Sequence, residues 1–345
     1  MLVPQHNGFL PIAHYLCGMI IAKIKRRLRW ASMQKTFALG KGAGLLRDRP
    51  GLRILNYHGV VPPPLRRIHA RFVTTPQFEE HIVYLKTHFQ VISLDQAFAG
   101  EYDSGRMAVA LTFDDGYRNN LEHALPILQK HALPATFFVS APQAFGGDIL
   151  WADLLDITTA TTDGKLQVLD RVFKKNGKGE FVGADGIRLK ECCKLEGPYF
   201  IQSLVQSLDK QPFRDDPSWD DYWKLMDANA LKALAAAPGI SIGSHGTQHY
   251  NLDQMPLVSA MIDVRAGIFW VEKAIGKKVK AFAYPDGAYT PAMVDAVAKI
   301  GIAQQLLSEY RYEDQADGRV RDRFAVHPFL PTKVLMAEML RGGYF

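Results

Sequence analysis

Residues 107–120 read MAVALTFDDGYRNN. Seven residues without a charge end abruptly in two adjacent carboxylates, Asp114 and Asp115, followed by Gly116, which permits a sharp turn. An uncharged run of this length, rich in Val, Leu, Phe and Thr, reads as a buried strand. Apolar runs of the same kind recur on either side of it: ILNYHGV (54–60), ATFFVS (135–140), GISIGS (239–244) and VKAFAYP (279–285). Amphipathic stretches lie between them. One takes Thr75 as N-cap and Pro76 as the first helical residue, and it buries Phe78, Ile82 and Leu85 at i, i+4 and i+7. Another runs from about Asn119 to His131 and a third from Pro256 to Ile275. Strands alternating with helices imply parallel pairing, in a doubly wound sheet or a barrel.

The alternation breaks between about Leu150 and Met226. Hairpin-like polar segments (LQVLDRVFKKNGKGEFVG) and a Trp-rich piece (PSWDDYWKL) there read as an insertion, about 151–226, and not as an independent domain. Its aromatic residues, Trp151, Trp219, Tyr222 and Trp223, beside Asp153, either stack on sugar rings or pin the insertion to a core; the second reading is preferred.

The 345 residues carry 41 Lys and Arg against 35 Asp and Glu, with 48% hydrophobic and 22% charged residues. Such numbers exclude disordered, collagen-like and disulfide-scaffold chains. Residues 1–50 hold nine basic residues and one acidic, so the net +6 splits into +8 there and −2 in the remainder. A mildly acidic body argues against nucleic acid as partner. Residues 1–50 form a basic extension and 51–345 the main domain. The apolar run 9–22 is too short to span a bilayer, and no Lys or Arg precedes Lys23, so secretion is disfavoured. Ile20, Ile24, Leu28 and Ala31 recur at helical spacing among Lys23, Lys25, Arg26, Arg27 and Arg29. That pattern suits either an anionic membrane surface or an extension packed on the protein itself. Three cysteines, two of them adjacent (Cys192 and Cys193), make no disulfide framework.

In parallel α/β folds functional groups gather at the carboxyl ends of strands, so residues just after each run share one face. Asp114 and Asp115 follow one strand; as structure alone, Asp-Asp-Gly is a common turn. His245 and His249 follow another. On a helical turn their i, i+4 spacing lets two imidazoles meet one metal, although a lone H-x-x-x-H is a weak signal. One Asp and two His leave a position for water, the arrangement of a hydrolytic metal. The third element is Tyr284-Pro285-Asp286-Gly287, which by itself is a plain turn.

In this order, TFDDG, S-H-G-x-x-H and a Pro-x-Gly strand end resemble the polysaccharide deacetylases of carbohydrate esterase family four, the nodulation-type deacetylase homology domain. The resemblance covers roughly residues 51–345. It implies an α/β fold, a distorted (β/α) barrel of about seven strands, here with an insertion and a basic N-terminal helical extension. It also implies Asp114 as catalytic base and Asp115, His245 and His249 as ligands of a divalent metal, usually zinc. The reaction it implies is removal of an N-acetyl or related acyl group from an amino sugar in a polysaccharide, glycan precursor or glycolipid. The backbone N–H of Asp286 is the expected oxyanion donor, with Tyr284 and Tyr117 as further substrate-side candidates.

The chain departs from the family pattern at three places. The arginine expected before the proline motif is replaced by Ala283, and Arg323 is the candidate to supply its charge. Asp286 replaces an aromatic residue, and a third carboxylate there is expected to raise the pKa of the base or to contact a substrate hydroxyl. The general acid has no clean counterpart, leaving His327 and His58 as candidates. The expected setting is cytoplasmic, near the inner membrane, acting on a glycan or lipid-linked sugar, with residues 9–30 as the membrane contact. A non-catalytic carbohydrate-binding relative, or a deformylase or small-amide hydrolase of the same fold, are the alternatives.

Overall fold

The computed structural model describes residues 9–47, 49–312 and 317–342, without the side chains of residues 9–23 and Pro212. The chain divides into two compact units, residues 50–328 and residues 1–49 with 329–345.

Among the described residues, the larger unit is built on a sheet of nine strands, all paired in parallel: β1 (Gly51–Tyr57), β2 (Gln90–Ile92), β3 (Met107–Phe113), β4 (Ala135–Val139), β5 (Ile240–Ser244), β6 (Ala281–Ala283), β7 (Gln304–Leu306), β8 (Val320–Arg321) and β9 (Phe324–Ala325). The order is β8-β7-β6-β5-β4-β3-β1-β9, with β2 beside the first half of β3. All seven residues of β3 are buried, as a strand covered on both faces requires. The two edge strands, β8 and β9, are consecutive in the chain, with only Asp322 and Arg323 between them. The sheet therefore curls until one edge nearly meets the other, and the backbone itself crosses the seam. This is the distorted barrel expected. Among its strands β2, β8 and β9 are only two or three residues long.

The amphipathic stretches form helices Thr75–His88, Leu125–His131 and Leu257–Ile275. In the first, Thr74 and not Thr75 is the N-cap, because its hydroxyl is the one that accepts from the Gln77 N–H. Between β4 and β5 the inserted segment forms helix Trp151–Thr161, a three-stranded antiparallel sheet (Lys165–Val168, Arg171–Lys175, Phe181–Val182) and helices Leu189–Glu196 and Pro198–Ser207. Trp151, Trp219, Tyr222 and Trp223 are buried in one apolar cluster with Phe72, Phe173 and Phe200, so these rings pin the insertion down and are not open platforms for sugars. Cys192 and Cys193 are free and buried.

The smaller unit pairs the long helix Phe9–Ala38 with helix Thr332–Arg341. Trp30 and Met33 are buried, and Arg29 makes a two-pronged bond to the fully buried Glu338 at 2.8 Å per arm. Ile24 and Leu28 face solvent. Among the described residues no helix is long and apolar enough to cross a membrane.

Candidate active site

The carboxyl end of β3 turns on two left-handed residues in succession, Asp115 (φ 75°) and Gly116 (φ 81°). A side chain at Gly116 would meet Val139 at 2.9 Å, so the turn presses against β4 and admits only glycine. This geometry sends the two carboxylates in different directions. Asp114, 2% exposed, receives both arms of Arg323 (Nη1 to Oδ1 and Nη2 to Oδ2, each 2.7 Å) and the Asn56 amide at 3.0 Å. Burial opposes its ionisation, but Arg323 and the nearby His245 outweigh it and hold the carboxyl well below the usual range. Arg323 sits on the seam between β8 and β9, where its Nε also binds the Leu307 carbonyl at 3.2 Å. The expected influence of Asp286 on the base is corrected: a buried guanidinium sets the charge of Asp114. Asp286 instead pairs with Lys194 of the insertion at 2.7 Å. Burial disfavours its charge, but Lys194 and then His249 lower its pKa.

Asp115 faces the two histidines. Its Oδ1 lies 3.3 Å from His249 Nε2 and 3.7 Å from His245 Nε2, and it accepts no hydrogen bond. The three donor atoms lie within 4.8 Å of one another, and all three residues are buried. His245 Nδ1 is 2.7 Å from the Ala283 carbonyl, which makes Nδ1 the protonated nitrogen and turns the Nε2 lone pair toward Asp115. Burial lowers the pKa of His245, against the pull of Asp114, so the ring is neutral as a ligand must be. One buried carboxylate oxygen without a donor beside two imidazole nitrogens is a donor set that fits zinc.

The histidine spacing is met by a different backbone from the one expected. Residues 245–250 are not helical, and His249 is left-handed (φ 55°). The rings converge, with centroids 5.1 Å apart, because the loop is held from outside. Asp263, on helix Leu257–Ile275, accepts from the Thr247 N–H at 3.0 Å and from the Thr247 hydroxyl. Gly267 of the same helix lets it approach so closely that a Cβ would stand 2.5 Å from the Gly246 carbonyl oxygen. Trp151 donates its indole N–H to the His249 carbonyl at 3.0 Å. Among the described residues, three of the five non-glycine residues with positive φ, Asp115, His249 and Asp286, thus line one site, where backbone strain characteristically collects.

Two expected substrate-side residues are corrected. Tyr117 is fully buried, its hydroxyl donating to Asp153 (2.9 Å) and accepting from Arg71 (2.8 Å). Tyr284 is fully buried, and its hydroxyl donates to Gln305 at 2.6 Å. Both phenols are structural: the Tyr117 ring packs in the apolar cluster of the insertion, and the Tyr284 hydroxyl is taken up by Gln305, which itself bonds the Val294 carbonyl. Asp286 does stand at the site, on the left-handed turn Pro285–Gly287 (φ 53°), and Arg311 reaches its carbonyl at 3.4 Å. His58, just after β1, feels both Asp114 and Asp115, yet burial pushes its pKa down to about 4. His327, two residues past β9, is half-buried.

Arg71, Lys194 and Arg311 carry no motif that a sequence pattern registers, and Asp153 stood out only as a neighbour of the insertion's aromatic residues. Arg71 lies in the loop after β1 and binds Asp153 (2.6 Å), Asp156 (3.0 Å) and Asp115 Oδ2 (3.4 Å).

Comparison with known proteins agrees with this arrangement. The sequence model of the polysaccharide deacetylases matches residues 101–150 and 213–304, which contain the aspartate pair, both histidines and the Tyr284–Gly287 turn. The Bacillus subtilis polysaccharide deacetylase homologue YxkH is 29% identical over 92 residues, which are 26% of this chain and 31% of that protein. The chain thus matches only about a third of its curated relative. Among solved structures, the Streptococcus pyogenes deacetylase PplD, in complex with acetate, superposes with a TM-score of 0.52 at 16% identity, covering 83% of this chain and 97% of that one. IcaB from Ammonifex degensii gives 0.52 at 19% identity, covering 84% and 97%. These two share the fold. The matched segments carry the site just described, so in sequence this part of the chain is similar to the polysaccharide deacetylases, and the larger unit shares their fold.

Proposed function

We propose that the protein is a metal-dependent hydrolase that removes the N-acetyl, or a related acyl, group from an amino sugar in a polysaccharide, glycan precursor or glycolipid. One observation carries this reading: Asp114, an ionised carboxylate locked by Arg323 and Asn56, stands beside three converging donors, Asp115, His245 and His249. A binding module has no use for a buried charged base next to a metal-type donor set.

A zinc ion held by Asp115, His245 and His249 would supply Lewis acidity, polarising the amide carbonyl and lowering the pKa of water. Asp114 takes the proton of the attacking water. Because Arg323 holds it low, Asp114 is ionised throughout the working pH range but is a weak base, so it depends on an acidified water. The backbone N–H of Asp286 faces the developing oxyanion, while the N–H groups of Gly287 and Ala288 are spent within the turn, on the Tyr284 and Pro285 carbonyls. His327 is assigned the proton for the leaving amine, because burial keeps His58 neutral near pH 7. Asn56, which points at Asp114, is in register with Ala325, and Val326 still bonds to the Asn56 carbonyl. Alternation along the extended chain then carries His327 to the same side.

The exposed Ile24 and Leu28 among the basic residues of the N-terminal helix support a peripheral contact with an anionic membrane, and hence a cytoplasmic, membrane-proximal substrate. Failure to bind anionic vesicles at low salt would sink that part. The catalytic reading is tested by acetate release from N-acetylglucosamine oligomers with zinc-loaded protein. The expected result is turnover that Asp114→Asn abolishes while retaining zinc. Zinc binding without release of acetate from any N-acetyl sugar would reject deacetylation, and formate release from N-formyl sugars would redirect it to deformylation.

A further inference from the structure

The family model skips residues 151–212, yet this segment reaches the candidate metal ligands at two points. Helix Trp151–Thr161 begins with both contacts. The Trp151 indole N–H bonds the carbonyl of His249, the ligand whose backbone is left-handed. Two and five residues further, Asp153 and Asp156 grip the guanidinium of Arg71, and Tyr117 donates to both oxygens of Asp153 at 2.9 and 3.0 Å. Lys190, from the next helix of the insertion, closes on both oxygens of Asp156 at 2.8 Å. Two carboxylates and two cations leave the cluster neutral, so it can stand beside a divalent ion without repelling it.

What the cluster holds is Arg71, whose Nη1 lies 3.4 Å from Asp115 Oδ2. The other oxygen, Oδ1, is turned to the two histidines and has no hydrogen-bond partner. Arg71 thereby divides the carboxylate, occupying one oxygen and leaving one for the metal.

We infer that the insertion completes the metal centre, with Arg71, held by Asp153, and Trp151 as positioning residues that fix Asp115 for one-oxygen ligation and hold His249 in its left-handed conformation. The inference rests on Asp115, His245 and His249 being the ligands. It adds that the metal affinity of this chain depends on a segment outside the family's common sequence.

The test is zinc affinity of the full-length protein, read by competition with a chromophoric chelator, together with the visible spectrum after loading with cobalt. Variants are Arg71→Met, Arg71→Lys, Asp153→Asn and Trp151→Phe, and the melting temperature of each metal-free protein is the folding control. Outer-shell groups of this kind typically contribute 10–100-fold in metal affinity. Arg71→Met and Trp151→Phe are each expected to weaken zinc by about that factor, and Arg71→Lys to recover part of the loss. The cobalt spectrum of Arg71→Met should change as the second oxygen of Asp115 is released. If Arg71→Met does not fold, Trp151→Phe and Asp153→Asn carry the test. Parent affinity and parent cobalt spectrum in folded variants would overturn the inference and leave the ligand assignment standing. A parent that binds no zinc would overturn the ligand assignment itself.

Discussion

Replacing Arg323 by Met isolates the physics of the Asp114 site. The arginine side chain is 1% exposed and the aspartate side chain 3%, with two contacts of 2.7 Å between them. Methionine fills most of the volume but leaves a carboxylate in the barrel with only the Asn56 amide as donor, and it frees the Leu307 carbonyl. Removing one partner of a buried pair costs about 3–5 kcal/mol, most of it the desolvation of the charge left behind. Urea denaturation of metal-free protein measures the loss, and with a slope of about 3 kcal/mol/M the midpoint falls by about 1 M or more. Arg323→Met with Asp114→Asn removes both charges, so the double variant should recover much of the loss.

The pH dependence supplies the sign. In the parent, Asp114 is depressed in the folded state, so its contribution is full above the unfolded carboxylate value and fades as pH falls toward the folded one. In Arg323→Met, the chief opponent of burial is gone and only the Asn56 amide and His245 remain, so the folded value rises above the unfolded one and the penalty at pH 7 is relieved by acid. The gap between parent and variant therefore narrows from pH 7 to pH 4. A gap below about 0.5 kcal/mol, or one constant with pH, would refute the reasoning, because an exposed pair behaves that way.

Other outcomes follow from the same structure. His81 is buried beside the Tyr57 hydroxyl (3.3 Å), and burial pushes its pKa to about 4 from 6.5, so the stability it permits is full above pH 6.5 and is lost as pH falls toward 4. Comparing parent and His81→Gln by denaturation across that window should show a difference of about 3 kcal/mol, and parallel curves would contradict it. Gly267→Ala drives a methyl against the Gly246 carbonyl, so a loss of about 1–3 kcal/mol and weaker zinc binding are expected, whereas Gly177→Ala, with open space around it, should be silent. Asp114→Asn should cut deacetylation by at least about 100-fold while zinc stoichiometry stays at the parent value. Loss of zinc in that variant would make Asp114 a ligand.

Parallel strand pairing was legible in the sequence because buried strands such as 107–113 are long uncharged runs with helical patterns between them, whereas closure into a barrel was implied only by the family resemblance. Asp114, Asp115, His245, His249 and Asp286 were legible because strand ends deliver their residues to one face, which is a local rule. Where a local rule was extended too far it failed: the two histidines were assigned a helical turn, and the tertiary structure brings them together through Asp263, Gly267 and Trp151 on a left-handed loop. Tyr117 and Tyr284 neighbour the motifs in sequence, but side chains alternate across a strand and its exit, so adjacency could not tell cleft from core.

Sequence by itself determined which elements form and which strand ends are chemically loaded, since both depend on residues a few positions apart. Arg323 was named from the sequence only as a candidate for the missing charge; that it grips Asp114, 209 residues away, was decided by the curled sheet, where β8 and β9 bring the edges together. Arg71, Asp153 and Trp151 needed the packed insertion. Their effect on the ligands is exerted through contacts between segments that hydrophobic periodicity cannot register, and only burial makes those contacts strong.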